Sequence, residues 1–279
     1  MSAENALHII LVEKIRQDAL VLPTLPEIAM KVRQAADDPD ISLAKMSDII
    51  AHDPALSLGI LKVANSVAFG RAVKVESVAQ AVTRIGLKQI KSIATAMAVE
   101  QMFVSNNQVV AQYMRRSWQK TVDVASVAIA LMVKYLENNK NTPFTLDTIT
   151  LAAIIHNIGV LPILAEAESH PKVFATSAFL QQAIIKLANE IGAEVTKAWE
   201  FPEELTHIVK SWNDLTFLPK AVHYLDFIRA GAIYHEIFKS ISTRDTLLKS
   251  YVKKGILPSV DYLSSTEFTE RVAQVRAMF

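Results

Sequence analysis

The 279-residue chain contains no cysteine. Disulfides, thiolate chemistry and Cys-ligated zinc are therefore excluded. Glycine is scarce, with 7 residues against 10 prolines, a balance that disfavours a turn-rich β fold. Neither sign of charge predominates: 29 Lys and Arg stand against 28 Asp and Glu, a formal net charge of +1. That balance gives no global attraction to nucleic acid or to an anionic membrane, so only local basic clusters could supply one. No uninterrupted apolar run reaches the roughly 18 residues that span a bilayer. The opening residues, Met-Ser-Ala-Glu-Asn, lack the basic segment and apolar core of a secretory signal. These absences predict a cytoplasmic protein with no membrane partner. What is abundant is core material: 51% of residues are hydrophobic and 20% charged, a globular composition.

Apolar residues recur with helical spacing nearly everywhere. Residues 4–20 place Leu7, Ile10, Leu11, Ile15 and Leu20 near one face. Pro23 and Pro26 stop that helix, and Pro26 can open the next as its first residue. Ser42 predicts a cap for a helix to about His52. Asp53-Pro54, a capping acid followed by a first-turn proline, predicts a helix through Ala64. Ser77 with Gln80 has the capping-box pattern, Gly86 is a left-handed stop, and a helix follows over 87–103. A further helical series opens near Val109, and the polar stretch from Glu137 to Pro143 is a loop. Thr145 predicts a cap for a helix that ends at His156. Later helices fit 176–190, 192–200, 202–213, 219–239, 244–253 and 266–278, the last opened by Ser264 with Glu267. Alternating runs are few and no Asn-Gly or Asp-Gly turn occurs. The predicted fold is all-α: an N-terminal bundle, 1–107, packed on a C-terminal bundle, 108–279.

The residues with chemical potential each have a plain structural reading. His156 could ligate a metal or phosphate, but a histidine closing a helix by bonding a backbone carbonyl is the simpler role. Asn157 beside it is neutral, and an amide carbonyl ligates divalent ions far more weakly than a carboxylate. An amide linking two helices is the expected role for Asn157. Asp53 is expected to cap a helix, with Pro54 in its first turn. Asn65 and Ser66 are expected to turn the chain through side-chain-to-backbone bonds. Arg84, Lys88 and Lys91, and then Arg115, Arg116 and Lys120, could bind an anion or an acidic partner. The first three share a helix face only if a helix runs through Gly86. Trp118, Trp199 and Trp212 read as core. No phosphate-binding glycine loop, nucleophile elbow or His-Glu-x-x-His helix is present.

Several motifs in order resemble a known family. Leu25-Pro26-Glu27 is followed by His52-Asp53-Pro54-Ala55-Leu56, by Val63-Ala64-Asn65-Ser66, and by Ala81-Val82 with Ile85-Gly86. Downstream, Ala153 to Gly159 stands where the family has an "LLHDIG" element, so Asn157 replaces its Asp. Gly192-Ala193 followed by Trp199 and Pro202 resembles its "VGA…W-x-x-P" element. Over roughly residues 15–240 the chain resembles the HDOD domain, a helical signalling module of bacteria related to the HD phosphohydrolases. In catalytic HD proteins, His and Asp ligands converge on one or two metals from separate helices. By the register of the resemblance, the remaining ligands would fall near Lys120, at Ala188, at Trp212-Asn213 and near Gly231. None of these is a usable ligand, and the neighbouring His207 does not repair the set.

The resemblance together with this ligand census predicts a regulatory module without catalysis, metal or cofactor. Its partners would be other signalling proteins, with contact gated by a small ligand in the vestigial pocket, and a small nucleotide is among the ligands it could take. Two further readings stay open: a metal-dependent phosphohydrolase with an atypical site, and a nucleotide or cyclic-dinucleotide sensor using the basic residues. No receiver, GGDEF-like, EAL-like or DNA-binding segment is evident, so input and output are expected from separate proteins.

Overall fold

A computed structural model describes residues 11, 13, 14, 17, 19–66, 68, 69, 73–169 and 177–279. The expected helix over 4–20 lies largely outside the described residues. The fold is all-α, with no strand among the described residues.

Side-chain caps set most of the helix starts. Helix α1 spans Glu27–Ala36, with Pro26 as its N-cap rather than its first residue. Ser42 accepts from Lys45 N to open α2, Leu43–Ala51. Asp53 accepts from Leu56 N at 2.7 Å, and Pro54 is the first residue of α3, Pro54–Ala64. Ser77 opens α4, Val78–Ile85, which Gly86 ends at φ 92°. The chain resumes as α5, Leu87–Val99, prolonged by a 3₁₀ turn over Glu100–Met102. Asn107 accepts from Val109 N and Val110 N and opens α6, Gln108–Asn138. At 31 residues, α6 is about 46 Å long.

Thr145 opens α7, Leu146–Ile155, and α8 is Val160–Ser169. Together they make the one stretch among the described residues long and apolar enough to cross a membrane, yet 83% of its most apolar window is buried inside the protein. The helices α9, Ser177–Ala198, and α10, Glu203–Ser211, follow. His223 opens α11, Tyr224–Tyr234, and Ser240 opens α12, Ile241–Lys253. The last helix, α13, is Thr266–Arg276.

Several boundaries differ from the periodicity, among them the end of α11 at Tyr234 rather than 239 and the start of α12 at Ile241 rather than 244. The breaks at Gly192 and at 219 are misplaced: α9 runs through Gly192 unbroken, and α11 begins only at Tyr224. The cap of α13 is Ser265, which accepts from Phe268 N, and not Ser264, which ends a 3₁₀ turn.

The core is built around α6. Helices α7, α8, α11 and α13 pack on it, α5 joins α7 to α1, and α9 lies between α8 and α10. One cluster of buried residues runs through all of it, from Leu25 and Ile60 through Ile93, Val127 and Ile154 to Phe227 and Phe268.

The Trp-Glu-Phe-Pro segment ties this assembly to the N-terminal helices. Glu200 takes φ 53° just after α9, Phe201 N donates to Thr196 O, and Glu200 N donates to Lys197 O. That is the left-handed helix stop in which a second-residue amide reaches back across the last turn. The stop aims Trp199 Nε1 at Pro23 O, 2.7 Å away. Arg33 of α1 donates to Trp199 O at 2.8 Å and lies 4.6 Å from the centre of the Phe201 ring. Two sequence motifs 176 residues apart therefore meet directly.

The tightest contact is at Gly159. A Cβ built there would stand 1.9 Å from Ala188 O and 2.5 Å from Gly192 N. Gly159→Ala should therefore lose at least about 3 kcal/mol, the upper range for overpacking, because rigid backbone is what must move. Gly255 has nothing within 4 Å of its Cβ position and carries only the strain of φ 71°. Gly255→Ala should cost only the left-handed backbone penalty, about 1–2 kcal/mol. Chemical denaturation of both variants measures the difference.

Candidate functional site

The Gly159 crossing fixes where its neighbours point. Residues 156–159 form the turn between α7 and α8, with Ile158 N donating to Ile155 O and Val160 N to Asn157 O. His156 caps the end of α7 and is 3% exposed. Its Nδ1 lies 2.6 Å from Ala153 O. A carbonyl only accepts, so Nδ1 carries the hydrogen and Nε2 the lone pair. Burial pushes the imidazole down to a pKa of about 4, against a smaller upward pull from the Ala153 carbonyl. His156 is therefore neutral at pH 7. The Trp212 ring meets it edge-to-face, with centroids 4.7 Å apart at 86°.

Trp212 is held from behind. It follows α10, and Arg229 of α11 reaches the same place. Arg229 is fully buried. Its Nε donates to Trp212 O at 3.0 Å, and its terminal nitrogens donate to Ser211 O, Asp214 O and Phe217 O at 2.7–2.8 Å. A buried guanidinium without a carboxylate is stabilised here by four carbonyl dipoles at a helix C-terminus. Next to it Asp226 pairs with Lys254 at 2.8 Å, and His223 with Asp226 forms the capping box of α11. Periodicity and motif search did not single out Arg229, Asp226 or Lys254. The available signal was a charged residue inside an otherwise apolar helix, Tyr224-Leu-Asp-Phe-Ile-Arg-Ala-Gly-Ala-Ile.

The other sequence candidates are distributed as follows. Ala188 is buried, and its carbonyl faces Gly159. Lys120 lies exposed on α6 and is not brought to His156. Gly231 faces α6, where a Cβ would stand 2.5 Å from Val124 O, so no acidic side chain could occupy that position. Asn157 is half-buried, and among the described residues its amide makes no hydrogen bond. The helix-to-helix amide link expected of it is not formed, because backbone contact at Gly159 already makes that junction. Asn65 joins both backbone groups of Val75, at 2.9 Å each, and Ser66 donates to Val63 O. The proposed strip of Arg84, Lys88 and Lys91 does not exist, since Gly86 separates α4 from α5. Arg84 donates to Ala64 O and Val73 O, Lys91 pairs with Asp37, and Lys88 is exposed. Arg115 and Arg116 are exposed on α6.

A divalent ion does not fit the donors at the turn. A neutral imidazole with its Nδ1 on a carbonyl is the form a ligating His takes. Zinc needs three or four such donors and magnesium needs oxygens. The positions that the resemblance assigns to them carry Lys120, Ala188, Trp212-Asn213 and Gly231. Among the described residues, no group of three or more His, Asp or Glu side chains is placed to hold a metal ion.

The HDOD domain model matches residues 22–215. The chain belongs to the HDOD family. The match is narrower than the 15–240 expected from the motifs and stops before α11, so Arg229 lies outside it. A Shewanella amazonensis protein of known structure, provisionally described as a metal-dependent phosphohydrolase, is 42% identical over the whole chain and 99% of its own length, with a TM-score of 0.94. An HDOD domain protein of unknown function from Geobacter sulfurreducens has the same fold at 17% identity, covering 98% of each chain, with a TM-score of 0.61. A curated but uncharacterized Treponema pallidum protein is 23% identical over 209 residues, 71% of this chain. This chain spans only 39% of that relative's length.

The buried His156 has a consequence for stability against pH. The unfolded imidazole titrates near 6.5 and the folded one near 4. Below about pH 6.5 the unfolded chain takes up a proton that the folded chain refuses, so stability falls with pH down to about 4. The loss approaches about 3 kcal/mol. In His156→Gln that proton's share of the pH dependence should vanish, which denaturation curves between pH 4 and 7 will read.

Proposed function

We propose that this protein is a non-catalytic HDOD module that acts in signalling by contact with other proteins. The observation that carries the reading is Trp212 against His156. In the register of the family resemblance, a ligand stands at Trp212. An indole offers no lone pair to a metal, and it covers the flank of the imidazole instead. Ala188 and Gly231 are consistent with this, the first presenting only a carbonyl and the second only backbone. Without a metal, nothing at the turn lowers the pKa of water or neutralises charge developing on a phosphate.

A second reading is favoured by one finding. The Shewanella amazonensis protein described as a metal-dependent phosphohydrolase is 42% identical across the entire chain. If its description holds for both proteins, hydrolysis of a phosphate ester is the activity to look for.

Elemental analysis of protein purified without chelator, combined with a chromogenic phosphodiester assay in added Mn²⁺ or Mg²⁺, separates the two. The non-catalytic reading expects substoichiometric transition metal and no turnover above buffer. One equivalent of metal, with turnover that is lost in His156→Ala, would replace it with the hydrolase reading.

A further inference from the structure

The sequence has ten arginines, of which Arg16 and Arg71 lie outside the described residues. Six of the other eight have their guanidinium groups engaged. Arg33, Arg84 and Arg229 donate to backbone carbonyls. Arg244, Arg271 and Arg276 pair with Glu236, Glu137 and Asp123. Arg115 and Arg116 do neither, and they stand side by side on the outer face of α6.

Their surroundings have a definite character. Gln112, Gln119 and Lys120 share the exposed face, α6 itself carries no acidic residue between Gln108 and Gln119, and Glu168 at the start of the helix is bound by Ser105 and Asn107 N. The first acid beyond, Asp123, is already paired with Arg276. Trp118, one turn beyond Arg115, is half-buried, and its ring lies 5.2 Å from that of Phe103. Val104 is 71% exposed and Val109 is 38% exposed just before and within the first turn of α6. Two free guanidinium forks with an aromatic pair one turn from Arg115 match the composition of protein-binding hot spots, where Arg and Trp are enriched. Guanidinium forks bind carboxylates in bidentate geometry.

We infer that this face of α6 docks an acidic peptide segment of a partner protein, with carboxylates on Arg115 and Arg116 and an apolar side chain against Trp118. The inference rests on the protein-contact reading above and names its surface. Three cations on one helix face fall short of the 6–10 phosphate contacts typical of a strong nucleic-acid site. A peptide bearing carboxylates and an apolar side chain fits the two guanidinium groups and Trp118 together.

Fluorescence anisotropy tests this on the full chain, with a labelled peptide of alternating Glu and Leu pairs as probe. Unlabelled oligonucleotide and inorganic phosphate serve as competitors. The peptide should bind, and binding should weaken with added salt. It should fall at least tenfold in Arg115→Glu/Arg116→Glu, fall less in Arg115→Lys/Arg116→Lys, and stay unchanged in Lys88→Glu. All these positions are exposed, so melting temperatures should match the parent. Absence of binding, indifference to the double reversal, or stronger competition by oligonucleotide or phosphate than by unlabelled peptide would overturn the assignment. Metal-dependent turnover in a protein that still binds the peptide through these arginines would sink the non-catalytic reading and leave the surface standing.

Discussion

Backbone meets backbone at Gly159, and the rest of the site is arranged around that contact. The turn after α7 can reach the middle of α9 only because neither Gly159 nor Gly192 has a side chain. A Cβ on Gly192 would stand 2.6 Å from Val209 Cγ1, so α10 is drawn into the same crossing. Three helices are thereby locked in register at one point. His156 is three residues from that point and Trp212 is three residues from Val209, which is why the two rings touch. The position of the imidazole is thus a consequence of close packing, and it needs no bound ion to explain it.

Arginines bound to backbone carbonyls are the second recurring device, beside the more numerous pairs of lysine and arginine with carboxylates. Every helix leaves carbonyls without partners at its C-terminus. Arg84 serves Ala64 O at the end of α3, Arg33 serves Trp199 O after α9, and Arg229 serves Ser211 O and Trp212 O after α10. Each comes from a different helix, so each also fixes how two helices are oriented. The guanidinium suits this because several donors radiate from one plane. Arg229 is the extreme case, serving four carbonyls from a fully buried position. Residues 216–279 lie beyond the match to the family model, yet they supply the group that holds Trp212 in place.

Local chemistry made most helix starts legible, because a cap acts within three residues. Ser42, Asp53, Ser77 and Thr145 all accept from the amide expected of them. Asn65 and Ser66 also turn the chain by side-chain bonds, though the partner of Asn65, Val75, lies ten residues away and could not be named. Gly192 misled because glycine marks two different things. At Gly86 it ends a helix through positive φ, whereas at Gly192 it lies inside α9 to admit another backbone. Composition cannot separate those uses, since the second depends on residues 33 positions away. The same limit hid Arg229, whose partners are all backbone atoms and leave no trace in residue type.

The neighbourhood of His156 separates two properties that a family motif joins. The crossing at Gly159 and Gly192, the helix stop at Trp199 and the capped start at Asp53 depend on shape and backbone satisfaction. Those constraints act whether or not a metal is bound. A carboxylate at 157 would be a different kind of group, because an ionised acid in a half-buried site needs a cation to offset its desolvation. A neutral amide carries no such cost. A chain can therefore keep every packing element of this fold while its ligand positions become neutral, and the fold alone says nothing about which state its relatives occupy.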